Sequence, residues 1–413
     1  MRKYSISFGF AAMLFGIGLA GFNWLVDPYW IFSGKEIRHF NSLKPGIGSK
    51  QRIFEIGRVR NVAPEILILG TSREDDSIDP NHPAFLGKRA FNAAISSQPY
   101  RETRLILDML IKEQHAPKIV VAGLLFEIAN TQTKLPGDFS DENFQANQRW
   151  KLLFNTYTVM DSLRTVRANL FGGHIPQEEA NWQKNGYLYP SDYKINKNGH
   201  RISFTENEKH YLRDNHWPEP TCGYELFDSK TGHSNIEEMR FFVASIYQAN
   251  IEAHLFIGPS HARQWETIAA SGLWTQFEDW KRQLVRINEE EAKKAGKSPI
   301  SLWDFSGYSS VTSEAVPSKG DSIARMLHYF ESSHYTPAAG NLVLDRMFDY
   351  HAPNRKVPDD FGVRITSVNF ETHLAQIRAD RERYRRTHPD DIAEIEALAK
   401  KVAAEKHCVP SPR

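Results

Sequence analysis

Residues Ile6 to Val26 run without a charged side chain. About 20 consecutive apolar residues let a helix cross the hydrocarbon core of a bilayer, and in lipid only a helix or a closed barrel satisfies its own backbone. The segment predicts a membrane-spanning helix within residues 1–30. Arg2 and Lys3 precede it and Asp27 and Pro28 follow it, so the positive-inside tendency puts the N-terminus in the cytoplasm and the remaining chain outside. Trp24, Tyr29 and Trp30 suit the far interface. A cleaved signal peptide would carry a shorter apolar run and a small-x-small cleavage site. Here the run ends in Phe22-Asn-Trp-Leu-Val-Asp-Pro-Tyr-Trp30, so the expectation is an uncleaved single-pass anchor in the inner membrane with a periplasmic domain.

The rest of the chain alternates. Ile66-Leu-Ile-Leu69 is an apolar run ending in Gly70-Thr-Ser-Arg73, the pattern of a buried parallel strand meeting a turn. Arg89 to Ser97 reads as a second short strand with its loop, Tyr100 to Gln114 as an amphipathic helix, and Lys118 to Phe126 as another strand. From Ser234 the rhythm returns. A capping box, Ser234-x-x-Glu237, opens a helix to about Gln248. Strands at Ala253–Gly258 and Ile300–Phe305 flank a long helix, Leu273–Lys294, and Asn341–Asp349 reads as a last helix. This alternation predicts an α/β fold with a doubly wound parallel sheet.

Residues 131–232 interrupt the rhythm with scattered aromatics (Trp150, Tyr157, Trp182, Tyr187, Tyr193, Trp217) and turns such as Asn185-Gly186 and Tyr189-Pro-Ser-Asp192. They read as an insertion or cap, either a sugar platform or a small folded unit with its own core. The α/β domain then comprises 31–130 and 233–352, and 353–413 is a charged helical tail that packs on the domain or binds a partner. Cys222 and Cys408 are too few for a disulfide framework. They are read as two separate thiols, with a single bridge as the alternative in an oxidising compartment. A formal net charge of +1 gives no basic stripe for nucleic acid. No phosphate loop or metal cluster stands out, and Glu331-x-x-His334 alone has too few ligands for zinc, so no cofactor is expected.

Polar residues at the C-terminal end of a parallel strand lie where open α/β sheets bind ligands, which makes Ser72 the candidate nucleophile. A serine hydroxyl needs a base to take its proton, and the base needs an orienting group. His334 follows Glu331 by three positions on a Ser/Pro/Gly loop, where the carboxylate can hold Nδ1 and leave Nε2 to the serine. His261, at another strand end, is the alternative base, and Asp304 the alternative orienter. His254 reads as structural; His82, His210 and His351 sit in polar loops with no obvious partner.

Strand–Gly70-Thr-Ser-Arg73 near the start and Glu331-Ser-Ser-His334-Tyr-Thr-Pro near the end of this domain resemble the first and last blocks of SGNH hydrolases. More narrowly, the chain resembles the membrane-anchored SGNH-like proteins that work beside membrane-bound O-acyltransferases, of the alginate O-acetylation and teichoic-acid D-alanyl transfer type. The resemblance covers residues 60–350 except the insertion. It implies a three-layer, flavodoxin-like sheet, Ser72 as nucleophile, and His334 and Glu331 as base and orienter, with Glu where the family has Asp. The second block falls on Asn92 and Ser97, the latter replacing the oxyanion-hole Gly. The third falls on Gly123-Leu-Leu125, which lacks the family's Asn; Arg73 or the Thr71 hydroxyl would have to compensate. The implied activity is acetyl transfer to an envelope or exported glycan, with a membrane acyltransferase as partner. A serine esterase of envelope glycans and a non-catalytic glycan-binding or scaffold subunit are the alternatives.

Overall fold

The computed structural model of the protein describes residues 2–32, 34–172, 181–189 and 195–408; of the expected Tyr189–Asp192 turn only Tyr189 lies among them, and Tyr193 lies outside. In chain order, helix α1 (Arg2–Val26) and α2 (Gln51–Val62) precede strand β1 (Ile66–Leu69) and the short α3 (Ser72–Ser77). Next come β2 (Ala90–Asn92), α4 (Tyr100–Lys112), β3 (Ile119–Leu124), α5 (Gln148–Leu153), α6 (Thr156–Phe171) and α7 (His200–Tyr211). The chain continues through α8 (Asn235–Gln248), β4 (Glu252–Ile257), α9 (Ala262–Ala270), α10 (Trp274–Ala295) and β5 (Ser301–Asp304). It ends with α11 (Pro337–Met347), β6 (Val363–Arg364), α12 (Phe370–Thr387) and α13 (Pro389–Glu405).

The fold is mixed α/β and divides into two compact units. One holds residues 1–63 and 137–191, the other 64–136 and 192–413. The segment expected as a single insertion, 131–232, is thus split between them. Residues 137–191 supply α5 and α6 to the unit that contains α1, and α7 belongs with the sheet.

In the first unit, α1 is apolar and long enough to cross a membrane, and its central residues are exposed. Its C-terminal end is closed by Lys44, whose ammonium donates to the carbonyls of Val26 and Asp27 at 2.8 and 2.6 Å. Those carbonyls lack helical partners. Burial lowers the Lys44 pKa to about 8.

The second unit is built on a six-stranded sheet in the order β2-β1-β3-β4-β5-β6. The first five strands are parallel; β6 runs antiparallel to β5, setting Trp303 against Arg364. All residues of β1 and β3 are buried, as strands covered on both faces must be. Ile66, Ile68, Val121 and Phe256 form a core with Tyr335, Leu342 and Val343 from the His334 loop and α11. Ser234 caps α8, accepting from the Glu237 N–H. Pro337 at the first position of α11 starts that helix earlier than the apolar pattern alone predicts.

The charged tail packs on this unit. Arg263 is fully buried between Glu208 of α7 and Asp391 of α13, with N–O distances of 2.7 to 2.9 Å. Arg381 and Arg385 of α12 hold the buried Glu266 of α9. The cysteines correct the expectation of separate thiols: Cys222 and Cys408 form a disulfide, with Cα atoms 5.7 Å apart, inside the range a disulfide bridges. Cys408 is buried beside Leu212, Trp217, Val402 and Ala403. A sequence separation of 186 hid a pairing made by the docking of α13.

Candidate active site

Ser72 is the first residue of α3, immediately after the sharp turn that ends β1. Gly70 has φ +155, and a Cβ there would collide with the Glu74 carboxyl, so the position requires glycine. Thr71 is the N-cap. Its hydroxyl accepts from the Arg73 N–H at 3.4 Å, while Glu74 Oε2 accepts from the Thr71 N–H at 2.7 Å. This reciprocal cap holds the backbone on both sides of Ser72. Glu74 itself is buried, its Oε1 accepting from the Tyr335 hydroxyl at 3.0 Å, and burial raises its pKa.

His334 lies on a tight loop pinned by an antiparallel bridge between Tyr329 and Tyr335. The Glu331 carboxylate organises this loop, accepting from the backbone N–H groups of Ser333 (2.8 Å) and His334 (2.9 Å) and from the Ser333 hydroxyl (3.1 Å). The same carboxylate bonds His334 Nδ1. A carboxylate only accepts, so Nδ1 carries the proton and Nε2 is left as an acceptor. Nε2 is 2.7 Å from Ser72 Oγ. The Ser77 hydroxyl donates to the Tyr335 carbonyl, tying α3 to the histidine loop. Serine, histidine and carboxylate therefore line up as in a nucleophile–base–orienter chain. Ser72 and His334 remain partly exposed.

The other candidates are used differently. Asn92 donates to the carbonyls of Glu74 (2.8 Å) and Ile78 (2.9 Å) and accepts from the Ala94 N–H. Its amide is spent on the loop that carries Ser72, which makes it a loop organiser and leaves no donor for an oxyanion. Gly123 lies in β3, where a Cβ would meet the Glu74 carboxyl; it supplies space. Arg73 is buried, donates to the Tyr211 hydroxyl at 3.1 Å and lies 3.9 Å from Glu127. The Thr71 hydroxyl is taken by the cap. The resemblance expects an Asn at position 125. Leu125, in that position, is buried and offers its carbonyl to Tyr100. The main-chain donor beside the hydroxyl is the N–H of Ser72, which heads α3 and has no carbonyl one helical turn back. Ser97 sits exposed, with φ +54, at the rim of a cavity of about 480 Å³ lined also by His210, Asp214, His233 and Lys406.

His261 is committed elsewhere: Nδ1 accepts from the Arg263 N–H at 3.2 Å and Nε2 donates to the Glu314 carbonyl at 2.7 Å. Burial pulls its pKa down to about 4. Asp304 accepts from Lys281 (2.8 Å), His373 (3.0 Å) and Ser306 (2.9 Å). Burial pushes its carboxyl up, but Lys281 and His373 outweigh this and hold it well below the carboxylate range. The loop histidines do have partners: His82 is buried against Asp345, His210 meets Asp214, and His351 lies near Asp349.

Glu74, Tyr211 and Glu127 are the supporting residues that the sequence reading misses. The signal for Glu74 is present, since Thr71-x-x-Glu74 is itself a capping box. Tyr211 and Glu127 carry no local signal. Among the described residues no group of His, Cys, Asp or Glu is arranged to hold a metal ion. Comparison with protein-family models, curated proteins and solved structures found no match to this chain.

Proposed function

We propose that this protein is a membrane-anchored, SGNH-like serine acyltransferase that acetylates a cell-envelope or exported glycan outside the cytoplasm. The observation that carries the reading is the 2.7 Å contact between Ser72 Oγ and His334 Nε2, with Glu331 on Nδ1. Further support comes from strand order: β2-β1-β3-β4-β5 is that of open doubly wound sheets, which bind ligands where the order reverses, here beside β1. The Cys222–Cys408 bridge suits an oxidising compartment, and α1 suits an anchor.

In this reading Ser72 Oγ attacks the carbonyl carbon of an acyl donor while its proton passes to His334 Nε2. Glu331 stabilises the imidazolium, and the Ser72 N–H faces the developing oxyanion. The leaving group takes the proton from His334 and departs, leaving acyl-Ser72. A glycan hydroxyl then attacks the acyl carbon, giving its proton to His334, and the serine returns. A membrane-bound O-acyltransferase is the proposed acetyl supplier. A serine esterase is the second reading, favoured by the partial exposure of Ser72 and His334, which admits water as acceptor.

The test uses the full chain in detergent or nanodiscs. A fluorophosphonate probe should label wild type, and Ser72→Ala should abolish labelling. With an acetyl ester and an oligosaccharide supplied together, mass spectrometry should find acetylated sugar; free acetate alone would select the esterase. Equal ester turnover by wild type and Ser72→Ala would overturn both.

A further inference from the structure

Helix α6 has its polarity reversed. Its buried face is small and polar, made of Thr158, Ser162, Thr165, Ala168 and Asn169. Its exposed face is largely apolar: Tyr157, Met160, Leu163 and Phe171 are 51 to 79% exposed, with Arg164 and Arg167 exposed among them, and Trp150 and Phe154 of the preceding segment are exposed too. A surface helix of a water-soluble protein shows the opposite arrangement, and a run of large exposed apolar side chains of this kind marks a contact with something other than water.

The position of α6 says what that contact is. Ser162 Oγ donates to Asn23 Oδ1 at 2.9 Å, and Asn23 Nδ2 donates to the Leu153 carbonyl at 2.8 Å. The Tyr29 hydroxyl donates to Asp161 at 2.5 Å. Asn23 is in the last turn of α1, beside the part-exposed Trp24 and Leu25. The polar face of α6 is therefore fastened at the level where the apolar helix ends, which for a spanning helix is the headgroup boundary, where Trp side chains concentrate. At 16 residues, α6 is too short to cross a bilayer but long enough to lie along its surface. Arg164 and Arg167 are exposed on the same helix, and Arg149 stacks on Trp150 at 5.0 Å. Arginines within an apolar stripe lay their stems along it and reach outward with the charged head, and anionic lipid adds electrostatic attraction for such a helix at an interface.

We propose that α6, with the end of α5, lies in the interface of the bilayer that α1 crosses, its apolar stripe among the upper acyl chains and its arginines among lipid phosphates. This inference rests on α1 being a membrane span and is independent of the chemistry at Ser72.

The experiment reconstitutes the full chain in nanodiscs of phosphatidylethanolamine and phosphatidylglycerol containing a lipid with a diazirine near the top of its acyl chain. After irradiation, adducts are mapped by peptide mass spectrometry. Adducts are expected on α1 and on the 150–171 peptides. The double variant Met160→Glu, Leu163→Glu should cut the 150–171 adducts at least fivefold with α1 adducts unchanged. Labelling of α1 with none on 150–171 would overturn the inference alone, as would 150–171 adducts that stay at the wild-type level in the double variant. Absence of adducts on α1 as well would overturn the membrane reading itself.

Discussion

The carboxyl group of Glu74 occupies the space that a side chain at position 123 would need. Gly70 closes the same pocket from β1, and Gly258, after β4, sits with a Cβ position 3.6 Å from Glu74 Oε1. Glycines at three neighbouring strand ends thus admit one carboxyl group beneath the Ser72 turn. Gly123→Ala is expected to lower stability by about 1–3 kcal/mol, the usual cost of overpacking a close-packed interior, and to weaken the cap at Thr71. Thermal unfolding measures this; an unchanged melting temperature would mean that Glu74 has room to move aside.

Glu331→Gln keeps the size of the orienting group but lets an amide N–H face His334 Nδ1, favouring the wrong tautomer. Ester turnover should fall roughly 10²–10⁴-fold, as when a triad carboxylate is made neutral, with little change in KM. Steady-state kinetics check it. A rate equal to wild type would remove Glu331 from the proposed chemistry.

Asn92→Ala strips hydrogen bonds from two carbonyls and one N–H in a buried loop. The expected cost is about 2–4 kcal/mol, from buried polar groups left unsatisfied, seen as a lower denaturation midpoint. Unchanged stability with a 10²–10³-fold loss of kcat is the signature of an oxyanion donor and would contradict the assigned role.

His261 makes stability pH-dependent. Its folded pKa is about 4, below the ordinary value of about 6.5, so the folded state binds fewer protons than the unfolded state at acid pH. Its contribution is intact above pH 6.5 and is lost as pH falls through 4, by about 3 kcal/mol in all. Chemical denaturation across pH 7.5 to 4 should show a shallower decline for His261→Gln than for wild type. Parallel curves would mean that protonation is accommodated.

Reducing the Cys222–Cys408 bridge, or replacing both residues by Ala, should cost about 2–4 kcal/mol and free the end of α13 from the Leu212–Trp217 segment. Denaturation with and without dithiothreitol measures the first effect, and proteolysis near residue 400 the second. Matching midpoints would show that α13 docks without the bridge.

What the chain discloses before folding follows the range of the interactions involved. Ile66–Leu69, Ile119–Leu124 and the amphipathic Tyr100–Lys112 are legible because burial and periodicity are local properties. Ser72, Glu331 and His334 could be singled out as candidates because each lies on or directly after a turn with a recognisable pattern. Tyr211, Glu127 and the disulfide are not, since their roles come from packing between segments far apart in the chain. The attachment of 137–191 to the unit of α1 is hidden for another reason: α6 buries Thr and Ser and exposes Met and Leu, which inverts the rule by which insertions are read.

Ser72 and His334 meet across 262 positions of sequence, and their contact requires β1, the histidine loop and α11 to be in place together. During synthesis Ser72, the proposed nucleophile, emerges from the ribosome 262 residues ahead of His334, its proposed base. A nascent chain ending near residue 300 already carries the serine, yet lacks the histidine that the proposed mechanism assigns as its base. Covalent capture of Ser72 by an electrophile would thus count assembled molecules, and a pulse of such a reagent during biogenesis would time the final closure of the domain.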